Sequence, residues 1–485
     1  MSTSGKSVIS NIIWKYAERL SAQLVTMVVS IIIARILDPE HYGTIALVTV
    51  FITFANVFVS DGFGSALIQK KDADIIDFSS VLFFNVALSI VLYIVLFFLA
   101  PFISNFYGEG YEILTPVMRV LGLRLILSAI NSVQQAYVSR QMIFKKFFWA
   151  TLFGTVLSGV VGIIMAYKGF GVWALVAQYL TNTTVDTIIL QLSLNKWPKL
   201  VISFKRLKNL IGFGARVLFT NLVMTGYQEL RTLVIGKLYS SSDLAFYNKG
   251  MSFPSLIVTN INSSMGAVLF PKMSQLQDDR ERLKATTRMS VRFSSYLLMP
   301  LMLGLLSVAK PFVVVLLTEK WLPCVKLMQM LCIFYLFQPI HTANIQAIKA
   351  IGRSDIVLKL EIIRDVIQLV ALVAVMWISV EAIVLTMAIQ SVLFVFINGY
   401  PNRKLINYSY IEQIKDIFPS LSMATVMAIS VILIGLLPLP TFPLLIVQVL
   451  SGAMIYILLS IITNNSEFVY IKRMVFETLH LGKNS

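Results

Sequence analysis

Long apolar segments follow one another along almost the whole chain and are separated by short polar loops. About fourteen such segments of about 20 residues leave little sequence for a water-soluble domain. Because an α-helix rises about 1.5 Å per residue, about 20 residues cross a hydrocarbon core of about 30 Å with every backbone group bonded internally. The pattern predicts an all-α polytopic membrane protein of about 14 transmembrane helices. The predicted spans are residues 12–34, 43–60, 79–100, 117–138, 149–167, 171–192, 211–236, 250–270, 289–317, 324–348, 357–377, 380–400, 416–436 and 442–463.

The composition supports this class, with 57% hydrophobic and 13% charged residues. The net charge of +16 would suggest nucleic-acid binding in a soluble protein. Here about 25 Lys and Arg lie in one set of loops and about 6 in the other, which is the positive-inside bias of a membrane protein. The bias predicts cytoplasmic N- and C-termini and leaves no reason to expect nucleic acid as a partner.

The first half of the chain is similar to the second half at an offset of about 202 to 213 residues. The segment GSALIQK at 64–70 aligns with GAVLFPK at 266–272, and VMRVL at 117–121 aligns with LMQML at 327–331. An even number of spans per half predicts two parallel repeats related by a pseudo-two-fold axis along the membrane normal. The predicted domains are an N-lobe of spans 1–6, a C-lobe of spans 7–12 and a C-terminal part with two extra helices and a cytoplasmic tail; they comprise residues 1–200, 201–405 and 406–485.

The sequence carries no complete motif of enzymatic chemistry. It contains no Ser-His-Asp arrangement, no zinc-ligand spacing and no glycine-rich dinucleotide loop. The predicted outward loops are too short to build a large external active site. The sequence therefore favours a transporter over an enzyme, with no cofactor and no bound metal.

Ionisable residues inside the predicted spans are the candidates for a substrate site. Such a group costs at least about 3 kcal/mol at membrane depth, so it usually faces a partner or a wet cavity. The candidates are Glu18, Arg19, Arg124, Asp186, Glu229, Arg231, Lys249 and Arg364.

The same residues have a structural interpretation. Arg364 lies close enough to a membrane interface for its side chain to reach water, and it shares a helical face with Glu361 and Asp365, with which it could form an internal salt-bridge cluster. Arg124 lies about two helical turns inside its span, which is too deep for this. Cations outnumber acids among the deep groups, so a shared cavity would favour an anion, and arginine binds phosphate through a planar fork.

Several loop and span-end motifs resemble those of bacterial polysaccharide exporters of the colanic-acid and teichuronic-acid type. This Wzx-type family belongs with O-antigen flippases, lipid II flippases and multidrug extruders to the multidrug/oligosaccharidyl-lipid/polysaccharide (MOP) superfamily. The motifs are ARILDPEHYG (34–43), DGFGSALIQKKD (61–72), FPKMSQLQDD (270–279), EKWLP (319–323) and AIGRSD (350–355).

The resemblance implies a flippase of the bacterial inner membrane that moves undecaprenyl-diphosphate-linked oligosaccharide outward by alternating access. It implies two six-helix lobes and two extra helices that offer a groove for the polyprenyl tail. Membrane lipids, and the polysaccharide polymerase and export machinery, are further expected partners. Two alternatives remain open: a multidrug or cation antiporter of the same fold, which would depend on acids such as Asp186 or Glu229, and a membrane glycan polymerase or ligase.

Overall fold

The computed structural model describes residues 5–70, 72–194 and 201–481, and these residues form helices joined by short turns, with no strand among them. The helices are α1 Gly5–Ile36, α2 Pro39–Gln69, α3 Ile75–Tyr107, α4 Leu114–Gly122, α5 Arg124–Gln141, α6 Phe144–Tyr167, α7 Val172–Ser193, α8 Phe204–Leu238, α9 Ser241–Ser274, α10 Arg280–Ser307, α11 Ala309–Leu317, α12 Pro323–Leu336, α13 Gln338–Ala350, α14 Ser354–Val375, α15 Val380–Leu405, α16 Tyr410–Ile434, α17 Thr441–Ile462 and α18 Ser466–Leu481. A 3₁₀ turn, Glu319–Trp321, precedes α12.

Each predicted span coincides with one of these helices or with a consecutive pair. Within the described ranges, 11 helical segments are long and apolar enough to cross a membrane. The other predicted spans fall on α7, α8 and α14, whose centres carry polar groups such as Asp186, Glu229 and Asp365. The all-α membrane class is confirmed, and the count of about fourteen spans stays a prediction.

The chain divides into two compact units, residues 1–245 and 246–485. In the first unit, α8 packs along α2, and glycine permits the close approach. A Cβ atom on Gly236 would lie 2.2 Å from Cδ2 of Leu47. The sequence had assigned α8 to the C-lobe, whereas this compact unit includes it. The three predicted domains themselves stay a prediction.

In the second unit, α16 packs along α10 and also contacts α17. Several hydroxyl groups of α10 are buried, and those of Thr287, Ser290 and Ser294 donate to carbonyls one turn earlier in the same helix. The Tyr456 hydroxyl of α17 donates to the Tyr296 carbonyl of α10 at 2.9 Å. Helices α16 and α17, which follow the predicted repeat, are therefore packed on its helices by buried polar contacts.

Ion pairs hold helix ends together in the first unit. Asp74 caps α3 by accepting hydrogen bonds from the backbone N–H groups of Ile76 and Asp77. The Arg206 guanidinium of α8 donates to the Asp74 carboxylate and thereby lowers the pKa of that carboxyl. Asp77 is buried and pairs with Lys70 at 2.7 Å. These contacts tie the first turn of α8 to the start of α3.

Candidate functional site

A polar cavity of about 460 Å³ lies within the first unit, among α2, α5 and α7. Hydroxyl and amide side chains make up most of its wall. The lining residues are Asn56, Ser60, Gly64, Ile68, Arg124, Ser128, Asn131, Ser132, Gln135, Ala136, Ser139, Asn182, Thr183 and Asp186.

Helical periodicity explains why these residues share one space. Arg124, Ser128, Asn131, Gln135 and Ser139 recur every three or four residues, so they form one stripe along α5. The stripe is about 22 Å long at the α-helical rise. Apolar positions of α5, such as Leu125 and Val133, are buried elsewhere. The cavity wall is therefore the polar face of an amphipathic membrane helix.

An interruption in the helix sets the position of Arg124. Leu123 separates α4 from α5, and its N–H group bonds to the Val120 carbonyl, three residues back, at 3.2 Å. Gly122 lies against the Tyr93 ring, where a Cβ atom would be 3.2 Å from a ring carbon. Arg124 thus begins α5 directly after a local tightening of the backbone. The second unit has a comparable interruption at Phe337, between α12 and α13.

Small residues on α6 bring α7 close enough to complete the wall. A Cβ atom on Gly154 would lie 3.2 Å from the Asn182 carbonyl oxygen and 3.4 Å from Asp186 Cβ. Gly162 is similarly close to Gln178, also of α7. Small residues at membrane helix interfaces allow this kind of close backbone approach. They place Asn182, Thr183 and Asp186 opposite the polar stripe of α5.

Arg124 is bound by neutral groups. Its Nε–H donates to Thr183 Oγ1 at 3.0 Å, and its guanidinium carbon lies 5.4 Å from the centre of the Tyr179 ring. The Thr183 hydroxyl donates to the Tyr179 carbonyl, so it can accept from arginine at the same time. Among the described residues, Arg124 takes part in no ion pair. The arginine is therefore oriented by α7 while its charge remains available to an anionic ligand.

Asp186 anchors a chain of hydrogen bonds on the same wall. Its Oδ2 accepts from Asn131 Nδ2 at 2.8 Å, and Asn131 Oδ1 accepts from Gln135 Nε2 at 2.5 Å. Glu18 of α1 lies within electrostatic range of Asp186. The structure therefore brings together three of the residues selected from sequence, Arg124, Asp186 and Glu18, in one region of the first unit.

The other five selected residues do not line the polar cavity, although Arg19 follows Glu18 on α1 and lies within electrostatic range of it. Arg19 is half-buried on α1, and Arg231 and Glu229 are half-buried on α8, with Arg231 over the Tyr227 ring at 5.9 Å. Lys249 of α9 and Arg364 of α14 belong to the second unit. Lys249 is buried with its Nζ 5.6 Å from the centre of the Trp321 ring, and Arg364 lies near His341. Substrate contact by any of the eight residues stays a prediction.

A second, mainly apolar cavity of about 680 Å³ lies within the second unit. It is bounded by α9, α10 and the start of α18. Charged and polar groups lie at its edge, and Arg292 Nε is 3.4 Å from Glu467 Oε1. The lining residues are Asn260, Ile261, Ser264, Met265, Leu269, Lys272, Met289, Ser290, Arg292, Phe293, Leu297, Ser466, Glu467 and Tyr470.

Sequence reasoning did not select most of the polar wall, because it searched the spans for ionisable groups. That search did not select the uncharged residues of the wall, which include Asn131, Gln135, Asn182 and Thr183. The spacing of polar residues in α5 was a usable signal, since they recur on one helical face of a predicted span. A search for polar periodicity within apolar segments would have found this stripe.

An all-helical chain with this series of membrane-length apolar helices is a multi-pass membrane protein. The family described as "Polysaccharide biosynthesis protein" matches residues 32–326, which is more than half of the 485 residues. The chain belongs to this polysaccharide biosynthesis family. The family resemblance predicted from the loop and span-end motifs is thereby confirmed.

Characterised relatives have modest identity to the chain. It is 26% identical over 318 residues to the succinoglycan biosynthesis transport protein ExoT of Rhizobium meliloti (strain 1021), covering 66% of this chain and 64% of the relative. It is 25% identical over 305 residues to the teichuronic acid biosynthesis protein TuaB of Bacillus subtilis (strain 168), covering 62% and 63%. It is 22% identical over 344 residues to the lipopolysaccharide biosynthesis protein WzxC of Escherichia coli (strain K12), covering 70% of each. The chain thus matches less than two thirds of the length of the first two relatives.

Solved structures show the fold. The lipid II flippase MurJ in an inward closed conformation has a TM-score of 0.74 at 15% identity, covering 93% of this chain and 98% of MurJ. An inward-facing multidrug resistance MATE family transporter of the MOP superfamily has a TM-score of 0.62 at 17% identity, covering 80% and 94%. The predicted MOP-type fold is therefore confirmed.

Proposed function

We propose that this protein is a flippase that moves an undecaprenyl-diphosphate-linked oligosaccharide outward across the cytoplasmic membrane by alternating access. The observation that carries this proposal is the polar cavity of the first unit, lined by hydroxyl and amide groups and one oriented arginine. Such a wall has no use in a membrane helix packed only against lipid or apolar helices. It suits a ligand that is rich in hydrogen-bonding groups and carries negative charge.

The chemistry of the wall matches the two polar parts of this substrate. Serine, asparagine and glutamine side chains donate and accept hydrogen bonds, as sugar hydroxyls require. The Arg124 guanidinium can bind a diphosphate through charge-assisted hydrogen bonds from its terminal nitrogens. Asp186 accepts a hydrogen bond from Asn131 and forms no direct ion pair with Arg124, so the charge of the arginine is not neutralised by this carboxyl group.

The apolar cavity of the second unit suits the polyprenyl chain. Most of its lining surface is apolar, with side chains that include Met265, Leu269, Phe293 and Leu297. The start of α18, which follows the two extra helices in the predicted C-terminal part, forms one wall. We propose that part of the lipid tail rests here during translocation.

The relatives support the substrate class more than a particular glycan. Their names refer to succinoglycan, teichuronic acid and lipopolysaccharide, which differ in their sugars. MurJ, which has the same fold, is named for lipid II. We therefore propose only the shared substrate class for this chain, which is a carrier lipid bearing a saccharide.

The proposal extends to location, partners and energy. We place the protein in the bacterial inner membrane with both termini in the cytoplasm, where the basic loops would face anionic lipid. The polymerase and export machinery would receive the translocated product. An ion gradient, the membrane potential or consumption of the product would drive the cycle, and the protein would act as a transporter with no chemical step of its own.

A multidrug or cation antiporter is the second candidate function. The proximity of Glu18 to Asp186 favours it, because paired carboxyl groups suit a cationic ligand. The two functions differ in which charge matters. Export in the flippase should depend on Arg124, whereas drug resistance in an antiporter should depend on Asp186 or Glu229.

Gene deletion tests the proposal directly. Deletion in the native host should cause an undecaprenyl-diphosphate-linked saccharide to accumulate in the inner leaflet, measured by mass spectrometry of lipid extracts and by protection from an external glycan-labelling reagent in spheroplasts. Export should return with the wild-type gene. Unchanged lipid pools together with a new sensitivity to cationic drugs would contradict the flippase and support the antiporter.

Complementation with Arg124 variants tests the site. Arg124→Ala should abolish export at normal membrane levels, and Arg124→Lys should restore part of it, because lysine keeps the charge but loses the fork. Arg119→Ala is the matched control, since the Arg119 Nε–H donates to the Phe97 carbonyl and its guanidinium lies over the Phe97 ring, away from the cavity lining. Full export by Arg124→Ala would remove this residue from the mechanism.

A further inference from the structure

A directional chain of hydrogen bonds runs from Asp186 through Asn131 to Gln135. Asp186 Oδ2 accepts a hydrogen bond from Asn131 Nδ2 at 2.8 Å, so Asn131 presents its NH₂ group to this carboxyl oxygen. The Asn131 carbonyl oxygen then faces Gln135, which presents its own NH₂ group in turn. An asparagine or glutamine amide has nearly the same shape in either orientation, so the acceptor oxygen of Asp186 selects one of the two.

The exposure of the side chains suits an arrangement in which Asp186 orients Asn131 and Asn131 orients Gln135. Asn131 is only 7% exposed, whereas Gln135 is exposed and lies on the cavity wall. With its NH₂ group bound to Asn131, the Gln135 carbonyl oxygen Oε1 is left for the cavity. Gln135 is also 11 residues from Arg124, or about 16 Å along α5. The two residues can therefore contact different parts of one extended ligand.

We propose that Gln135 is a specificity-determining residue that accepts a hydrogen bond from a sugar hydroxyl of the substrate, and that Asp186 positions it through Asn131. Asp186 and Asn131 are positioning residues in this assignment. It rests on the proposed flippase function and names the part of the site that distinguishes a saccharide-bearing lipid from the bare carrier lipid.

The second unit contains a comparison for this arrangement. Asn344 of α13 follows the interruption at Phe337 by seven residues, much as Asn131 follows Leu123 by eight, and it is fully buried. Its Nδ2 donates to Gln413 Oε1 at 2.9 Å, and its Oδ1 accepts from Asn402 Nδ2 at 2.7 Å. Both partners lie in the protein core, so that asparagine ties helices together. In the first unit, the corresponding chain ends at an exposed amide on a cavity wall.

Binding measurements on the full-length protein in detergent test the proposal with two probes. One is undecaprenyl diphosphate without sugar, and the other is the saccharide-bearing lipid purified from membranes of the deletion strain. Gln135→Met, which keeps the length of the side chain, should weaken binding of the saccharide-bearing lipid by ~3- to 10-fold and leave undecaprenyl diphosphate unchanged. Gln277→Met is the matched control, because Gln277 is exposed in the turn between α9 and α10.

A double-mutant cycle tests the positioning role of Asp186. Asp186→Asn should weaken binding of the saccharide-bearing lipid by ~2- to 5-fold, because an amide no longer selects the orientation of Asn131. In the Gln135→Met background the same change should have no further effect, since the group that it positions is gone. Additive losses in the cycle would overturn the positioning role.

The outcomes separate this inference from the proposed function. If the wild-type protein binds neither probe, the flippase proposal fails. If it prefers the saccharide-bearing lipid and Gln135→Met keeps that preference, or if the variant weakens both probes equally, the inference alone fails. Should Asp186→Asn not fold, the Gln135→Met comparison still decides, because an exposed glutamine on a cavity wall does not support the core.

Discussion

Arg288 of α10 binds the carboxylate of Asp416 of α16 through two parallel hydrogen bonds of 2.8 Å each, from Nε to Oδ2 and from a terminal nitrogen to Oδ1. The Tyr408 hydroxyl donates to the same carboxylate at 2.9 Å. The Asp416 side chain is only 4% exposed, whereas that of Arg288 is 35% exposed. A helix outside the predicted repeat is thus tied to one inside it by a bidentate, largely buried ion pair.

We predict that Asp416→Asn destabilises the protein by about 2 kcal/mol, because the arginine fork then loses its charged acceptor in a mostly buried site. Thermal unfolding in detergent, or resistance of the membrane-embedded protein to proteolysis, would measure the loss.

Asp355 provides the matched control. It accepts from Arg353 with the same fork geometry, at 2.8 Å for both bonds, but both side chains are about half exposed. Hydrogen bonding from Arg353 lowers the pKa of Asp355 to about 2, so any stabilisation is present above its ordinary pKa and disappears as the pH falls towards 2. Water screens this pair, so Asp355→Asn at pH 7 should leave the unfolding temperature nearly unchanged. Equal destabilisation by both variants would show that burial does not determine how much such an arginine–aspartate pair stabilises the protein.

The membrane orientation gives a second prediction. Reporter fusions at Lys205 and Arg282 should report a cytoplasmic location, and a fusion at Glu109 should report an external one, because the basic loops lie with the first two sites. Paired phosphatase and fluorescent-protein fusions at each position would give opposite signals. A cytoplasmic signal at Glu109 would reverse the proposed orientation.

A third prediction concerns Gly43, the last residue of the ARILDPEHYG motif. A Cβ atom on Gly43 would lie 1.8 Å from the backbone oxygen of Ser241 at the start of α9, so the backbone itself must shift. Gly43→Ala should destabilise the protein by about 1–3 kcal/mol or more and reduce its level in the membrane. Quantitative immunoblotting and thermal unfolding would measure both effects.

Gly266 serves as the control for this change. A Cβ atom there would meet its nearest neighbour, Nε2 of Gln346, at an ordinary 3.7 Å. Since alanine is the better helix former by about 1 kcal/mol, Gly266→Ala should be neutral or slightly stabilising. A harmless Gly43→Ala would mean that α2 and the start of α9 tolerate separation.

The apolar cavity of the second unit gives a fourth prediction. Leu297→Trp should fill part of this cavity and reduce polysaccharide export, while the protein still reaches the membrane. Leu369→Trp is the control, because Leu369 is 44% exposed on α14 and does not line the cavity. Export can be measured as extracellular polysaccharide per membrane-inserted protein. Equal export by the two variants would argue against a tail site in this cavity.

Sequence alone determined the class of this protein and the location of its helices along the chain. Hydrocarbon thickness sets the length of a spanning helix, so a run of about 20 apolar residues already specifies the element. Local motifs at loops and helix ends were sufficient for the family, since they can be recognised from the order of the residues alone. Depth within a span also selected Arg124 and Asp186, which line the polar cavity. The repeat symmetry and the membrane orientation remain predictions.

Tertiary structure decided which uncharged side chains accompany those two residues. Asn131, Gln135 and Thr183 became part of one wall only because the glycines of α6 let α7 approach and the interruption at Leu123 sets the start of α5. The packing of α8 along α2 was likewise invisible in the sequence, whose repeat assigned α8 to the other lobe. Hydrophobicity specifies that a helix crosses the membrane, but it leaves open which face of the helix contacts which neighbouring helix. Close packing between helices therefore decides which face meets which neighbour.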